Sequence, residues 1–300
     1  MGGVPPRHCR QGYLSMERVS VVIPCYNSGA TIAQTVSSVK AQTWRDVEII
    51  VVDDGSTDPA TIELLDALDG VHLVRQKNAG LPAARNAGFA TASGTYVLPL
   101  DADDWLEPDA VTAMLDAMKA PSGASFVFSH LQLEGEATGV LVKPYNFFEQ
   151  LFLNQMPYCI LLPKELWERV GGYDQSMRRG YEDWEFNIRL GAAGYYGAVV
   201  PRPLFHYRVT SGGMLISQSN RIHGDLWAQI QAKHKHLYRI SRLFRLWREW
   251  RGRPSTYPLS LYFIWLLVFR VMPRSLFAWA FRVLRRCSHS RRVTARSRVT

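Results

Sequence analysis

The chain is short of several things, and each absence excludes a class. Four cysteines in 300 residues (Cys9, Cys25, Cys159 and Cys287) lie far apart, with no CxxC and no Cys/His cluster. That excludes a disulfide scaffold and a structural zinc site, and makes a reducing cytoplasm the default compartment. The apolar run Leu259–Phe269 is eleven residues long, where a membrane span needs about 20. Residues 1–15 lack the apolar core of a secretory signal; with Met16 just before the first patterned segment, residues 1–17 read as a disordered extension. There is no GxGxxG and no GxxxxGK[ST], so a glycine-rich phosphate loop is absent. A hydrophobic fraction of 47% and a charged fraction of 20% exclude a wholly disordered chain, a fibre and a polytopic membrane protein.

Acids are missing from one end only. Residues 1–230 hold 18 Lys+Arg and 25 Asp+Glu, a net of −7, while residues 231–300 hold 17 Lys+Arg and the single acid Glu249, a net of +16. A mildly acidic body carries a strongly basic C-terminal region, and the two need separate explanations.

The body alternates short apolar runs with helical periodicity. Val19–Pro24, Val47–Asp53, Val71–Val74 and Tyr96–Leu100 read as buried strands. Between them, Ile32, Val36 and Val39 recur at helical spacing, Asp58-Pro59 is a helix start, and Leu81–Ala92 is an alanine-rich helix; Asp109–Lys119 follows the fourth strand. This order predicts an α/β fold with a mostly parallel sheet and ligands beyond the carboxyl ends of its strands. Those ends carry the unusual residues: Pro24-Cys25-Tyr26-Asn27, Asp53-Asp54-Gly55-Ser56, Asn78-Ala79-Gly80 leading to Arg85, and Asp101-Ala102-Asp103-Asp104. Three aspartates within four residues repel one another by a few kcal/mol unless a cation joins them, and hard Mg²⁺ or Mn²⁺ takes carboxylate oxygens. A helix N-cap turn accounts for only one of the three.

The phrases VSVVIPCYNSG, VEIIVVDDGSTD, KNAGLPAARNAG, GTYVLPLDADD and GGYDQSMRRGYEDWEFNIRLGAAG, in this order, resemble the family 2 glycosyltransferases over roughly residues 18–215. The resemblance implies the GT-A fold and inverting transfer from a nucleotide-diphosphate sugar, expected to be a UDP-sugar. It implies that Tyr26, beside Pro24 and Asn27, packs on the base. Asp53 would bond base or ribose, and Asp54 would brace the Gly55-Ser56 turn or touch ligand. Asn78, Gly80 and Arg85 would lie near the base and diphosphate. Asp101-Ala102-Asp103 reads as the DXD motif, with Asp103 a direct ligand of Mn²⁺ or Mg²⁺ and Asp101 on ribose or a metal water. Asp183 matches the general base, Glu182 a neighbouring acceptor contact, and His206 a further metal ligand. The Q-x-x-R-W signature of processive synthases is absent, which suits transfer of one sugar to a glycan or lipid-linked acceptor. The stretch Asn146–Pro157 carries no readable pattern.

Residues 221–250 read as one long helix with Trp, Leu and Ile among basic residues, broken at Arg253-Pro254. Aromatics beside long aliphatics and arginines suit an interfacial helix pair on a lipid surface better than nucleic acid, which is not expected as a partner; the alternatives are a C-terminal helix packed on the body and a span from Tyr257 to Phe281. The domain division is 1–17 extension, 18–220 GT-A domain and 221–300 basic helical region. The region would attach the chain to an anionic membrane at the inner, cytoplasmic face, and every expected donor ligand lies before residue 210, so removal after Ser241 would leave donor binding intact. The rival functions are a metal-dependent phosphoryl-transfer enzyme and a catalytically silent sugar-nucleotide module.

Overall fold

The computed structural model describes residues 17–210, 222–273 and 276. The N-terminal extension up to Met16, Cys9 and Cys287 lie outside these residues. The first half follows the expected alternation. Strand β1 (Val19–Cys25) is buried along its whole length, and β2 (Val47–Asp53) pairs with it in parallel. Helix α1 (Gly29–Lys40) connects them and buries Ile32, Val36 and Val39. Helix α2 (Pro59–Ala67) starts as its chemistry requires: the Asp58 side chain accepts from Thr61 N, and Pro59 occupies the first turn. Then come β3 (His72–Arg75), α3 (Leu81–Thr91) and β4 (Tyr96–Pro99). The sheet order is β3-β2-β1-β4, all parallel, closed by the antiparallel β8 (Leu162–Pro163). Helix α3 lies close on this sheet: a Cβ at Gly88 would come 2.2 Å from Val22 Cγ1, so a glycine is required in mid-helix despite its cost of about 1 kcal/mol there.

A second sheet, invisible to the periodicity argument, completes the body. It runs β5-β9-β6-β7, from Trp105–Leu106 (β5), Phe126–Gly135 (β6), Gly139–Leu141 (β7) and Gly197–Val209 (β9). The long strands β6 and β9 are parallel, with register shifts at Ser129–Leu131 opposite Pro201-Arg202-Pro203. Prolines cannot donate to a ladder and collect at such irregularities. Beyond the bulge, β9 pairs with β5, setting His206 opposite Trp105. Helix α4 (Ala110–Lys119) packs its buried Val111, Met114 and Leu115 into the first core.

The described part of the C-terminal region, residues 222–273, packs on the body through its inner faces, the alternative that the sequence left open. The expected single helix is two: α8 (His223–Lys233) and α9 (Ile240–Trp250), followed by α10 (Leu261–Val271). No proline or glycine breaks the first pair. The turn is fixed by tertiary bonds: His234 Nε2 lies 2.9 Å from Glu185 Oε1, and Tyr238 Oη donates to Leu151 O at 2.6 Å. Leu226, Trp227, Ile230, Leu243, Leu246, Trp250 and Tyr262 form one core with Phe147, Phe148 and Phe152 and with Trp184 and Ile188 of α7 (Glu182–Ala192). Buried Glu149, on α5 (Phe147–Gln150), accepts from the backbone N–H of Thr256 and Tyr257 and from Tyr262 Oη. Asn146 Nδ2 donates to Trp250 O at 3.2 Å. Residues 223–271 share a core with the helix that carries Glu182 and Asp183, and removal after Ser241 would strand Glu149 without its partners.

Two outcomes are expected. Trp250, fully buried against Tyr145, Phe147 and Tyr196, should cost about 3–5 kcal/mol when truncated to alanine, read by chemical denaturation; a loss below about 1 kcal/mol would show that α9 is dispensable to the body. Asp174 joins the 171–180 loop to α8 through Lys233. Burial raises its pKa, but bonds from Lys233 and Ser176 outweigh burial and lower it from 3.8 to about 2. A depressed folded pKa stabilises above the unfolded value and is lost as pH falls through the folded one. Between about pH 4 and 2 the native chain should lose more stability than Asp174→Asn, and parallel acid-unfolding curves would remove Asp174 from the account.

Candidate active site

The carboxyl ends of the parallel strands converge as the topology demands, but their side chains divide into braces and open groups. Asn27, at the end of β1 with φ 51°, accepts from Thr57 N at 2.8 Å and Asp58 N at 3.0 Å. Its amide ties the first strand end to the second. Asp53 Oδ1 accepts from Ser56 N at 2.8 Å, so Asp53, not Asp54, braces the Gly55-Ser56 turn. Asp54 is buried and holds a different loop: Oδ1 accepts from Gln76 Nε2 at 2.7 Å and Ala79 N at 2.8 Å, and Oδ2 from Gly80 N at 2.9 Å. Gly80 needs its freedom, with φ 92° at the start of α3. Asn78 Oδ1 lies 3.5 Å from Arg178 Nη2. Pro24 and Ala102 are buried, and Ala102 O accepts from Thr35 Oγ1 at 3.0 Å. Tyr26, by contrast, is 48% exposed, an aromatic face open at the tip of β1.

The aspartate cluster divides in the same way. Asp104 is buried and structural: Tyr158 Oη donates to its Oδ2, and Arg208 N donates to Oδ1 at 2.7 Å. Burial, then its neighbours Asp103 and Asp101, raises its pKa well above the carboxylate range. Asp103 has no such partners. Burial and the charge of Asp101 raise its pKa from 3.8 to about 6. Two crowded hard-oxygen donors, one penalised for its charge, fit a divalent cation. Arg208 reaches over the same loop, donating from Nε to Asp103 O at 2.9 Å and from Nη2 to Gln34 Oε1 at 2.6 Å.

Arg85, expected near the base and diphosphate, is enclosed by the protein. It is buried, with Nη2 donating to Asp101 Oδ1 at 2.7 Å and Nη1 to Glu182 Oε1 at 2.6 Å. Its guanidinium carbon lies 4.8 Å from the Tyr158 ring centroid and 5.6 Å from that of Tyr173. One side chain thus joins the DXD loop to the first turn of α7. Burial raises the pKa of both Glu182 and Asp183, against the pull of Arg85. Asn154 Nδ2 donates to Asp183 Oδ2 at 2.8 Å. A carboxylate with its pKa moved toward neutrality, oriented by an amide, is what a general base needs.

His206, expected as a further metal ligand, is bonded on both ring nitrogens. Its ring stacks on Trp105 at 4.9 Å, Nε2 lies 2.7 Å from Glu107 Oε1, and Nδ1 lies 3.2 Å from Glu134 Oε1. Both nitrogens are engaged, so neither is available to a metal in this arrangement. Among the described residues no group of three His, Cys, Asp or Glu side chains could hold a metal by itself. A cation at Asp103 and Asp101 would complete its shell with water or substrate oxygens. Sequence reasoning also missed Asn154, Tyr158 and Gln34. They sit in a patternless loop, before a two-residue strand and in mid-helix, and nothing in their spacing sets them apart.

Residues 20–179 match the family described as Glycosyl transferase family 2. The chain is 42% identical over 187 residues to a chondroitin synthase of Pasteurella multocida, covering 59% of this chain and 19% of that protein. It is 30% identical over 181 residues to glycosyltransferase GlyG of Streptococcus pneumoniae, covering 57% and 52%. It thus spans between about a fifth and a half of the length of these curated relatives. Among solved structures, S. aureus TarS 1-349 in complex with UDP-GlcNAc has the same fold, with a TM-score of 0.61 at 16% identity over 76% of this chain and 69% of that one. With a family match that runs over more than half of its residues and takes in four of the converging strand ends, the chain belongs to glycosyl transferase family 2, with the GT-A fold.

Proposed function

We propose that the chain moves one sugar from a nucleotide-diphosphate sugar to a hydroxyl of a glycan or lipid-linked acceptor, with inversion at the anomeric carbon. The observation that carries this is the Arg85 bridge. It ties Asp101, two residues from Asp103 where a donor would sit, to Glu182, the neighbour of Asp183 where an acceptor would be deprotonated. The relatives support the reaction class, and TarS, crystallised with UDP and with UDP-GlcNAc, supports a UDP-sugar as donor. Tyr26 offers the exposed aromatic face on which a base would stack, and Asp53 stands at the end of β2, opposite Cys25.

In this reading Asp183 takes the proton from the acceptor hydroxyl. The new bond from that oxygen to the anomeric carbon forms as the bond to the phosphate oxygen breaks, and the departing nucleoside diphosphate keeps the electron pair. Asn154 fixes the carboxylate, and Glu182, neutralised by Arg85, keeps a second negative charge from competing for the proton. No protein nucleophile is required. Asp103, with Asp101, would hold a divalent cation, which when bound supplies positive charge for the leaving diphosphate. Arg208, above the Asp103 loop, adds a fixed positive charge on the same side.

Two variants separate these roles. Asp183→Asn should bind UDP as the native chain does and lose transfer by ~10²–10⁴-fold, since an amide accepts no proton. Turnover above about a tenth of native would move the base elsewhere, with Glu182 next. Asp103→Asn should keep its thermal unfolding profile and lose the Mn²⁺-dependent part of UDP binding in calorimetry. Equal UDP affinity with and without Mn²⁺, in native chain and variant alike, would remove the metal from the mechanism.

A further inference from the structure

Helix α10 has two unlike sides. Tyr262 and Leu266 are buried in the second core, while Leu261, Ile264, Leu267 and Val271 are 48%, 60%, 62% and 74% exposed. Positions 261, 264, 267/268 and 271 recur at helical spacing, so these aliphatic side chains form one stripe on the outer side. Contiguous exposed aliphatics of this kind mark a contact surface. On α9, Ile240 and Phe244 are 59% and 52% exposed. Phe244 lines, with Arg245, Arg248 and Arg251, a shallow cleft of about 540 Å³. Residues 231–273 hold nine Lys+Arg against Glu249 alone, and residues 1–230 are net negative.

We propose that the outer stripe of α10, with the arginines of α9, is the surface by which this chain lies on an anionic membrane. The aliphatic side chains would enter the acyl boundary and the guanidinium groups would meet lipid phosphates, for which their planar donors are suited. Charge decides the occupant. A second copy of this chain would bring the same excess of cations to a shared interface and repel it. A helix of eleven residues is about 16 Å long, about half of the hydrocarbon thickness, and no described helix is long and apolar enough to cross a membrane. The surface is connected to the candidate active site by hydrogen bonds. Tyr262 of α10 donates to Glu149, and the segment after α5 carries Asn154, which holds Asp183.

The test is co-sedimentation of the full-length chain with vesicles of phosphatidylcholine alone and of phosphatidylcholine mixed with phosphatidylglycerol. The native chain should bind the mixed vesicles at least about tenfold more tightly than the neutral ones, and the difference should shrink with salt. Ile264→Glu with Leu267→Glu, both on exposed positions, should lose at least about tenfold of that affinity. Arg245→Glu with Arg248→Glu should lose a similar share and flatten the salt dependence. Each variant should bind UDP as the native chain does, which shows that it is folded. Failure of UDP binding in the native chain would strike the proposed function and leave the vesicle result standing. Full vesicle binding by the Ile264/Leu267 variant would place attachment outside α10 and overturn the proposal. So would equal binding to neutral and anionic vesicles, no binding to either, or a native dimer in analytical ultracentrifugation that the same variant converts to monomer.

Discussion

The buried guanidinium of Arg85 is the constraint on which the site depends. Taking a cation and two carboxylates out of water costs several kcal/mol per ion, and the cost is recovered only with close geometry and filled hydrogen bonds. Here Asp101 and Glu182 take the two terminal nitrogens, while Tyr158 and Tyr173 cover the planar group. The arrangement is demanding: moving α3, the end of β4 or α7 would leave a buried charge unpaired. Those three elements are therefore locked in relative position, through residues that neighbour Asp103 and Asp183 in the chain. Tyr158 extends it sideways, accepting from Asp101 N while donating to Asp104, and Asp104 in turn receives the backbone of β9 at Arg208.

The second core serves the same end from the other side. Helix α7 contributes Trp184 and Ile188 to a layer completed by α5, α8, α9 and α10. Trp184 Nε1 donates to Gln150 O at 2.6 Å and Trp227 Nε1 to Leu151 O at 3.0 Å, so the segment leading to Asn154 is held from both sides. Glu149 explains why the segment from Thr256 to Tyr262 is held on the body. A carboxylate in that position is tolerable only because Thr256, Tyr257 and Tyr262 donate to it. The helices that resemble a surface anchor in sequence are, on their inner faces, part of the core that holds α7.

Much of this was legible in the residues. The four parallel strands, the Asp58-Pro59 helix start and the Glu182 helix follow from patterns with local causes: continuous apolar runs, capping oxygens, a first turn rich in acids. The division of labour among the polar residues was not legible. Asp53 and Asp54 are adjacent and chemically alike, yet one braces the Gly55-Ser56 turn and the other the loop at Gly80. His206 resembles a metal ligand in sequence, but its position opposite Trp105 gives its nitrogens to Glu107 and Glu134. The break between α8 and α9 has no local signal, since it is made by contacts from Glu185 and Leu151.

The sequence by itself determined the parallel α/β sheet, the family resemblance, the placement of unusual residues at strand ends and the separation of charge between body and C-terminal region. These depend on interactions within a few residues, or on composition, and both are written along the chain. The tertiary structure alone decided which carboxylates remain open, that Arg85 is shared between Asp101 and Glu182, that Asn154 orients Asp183, and that residues 223–271 are half scaffold and half exposed surface. Each of these depends on partners dozens of residues apart, where the energy of a polar group is set by what desolvates it and what bonds it, and that is known only when the chain has closed.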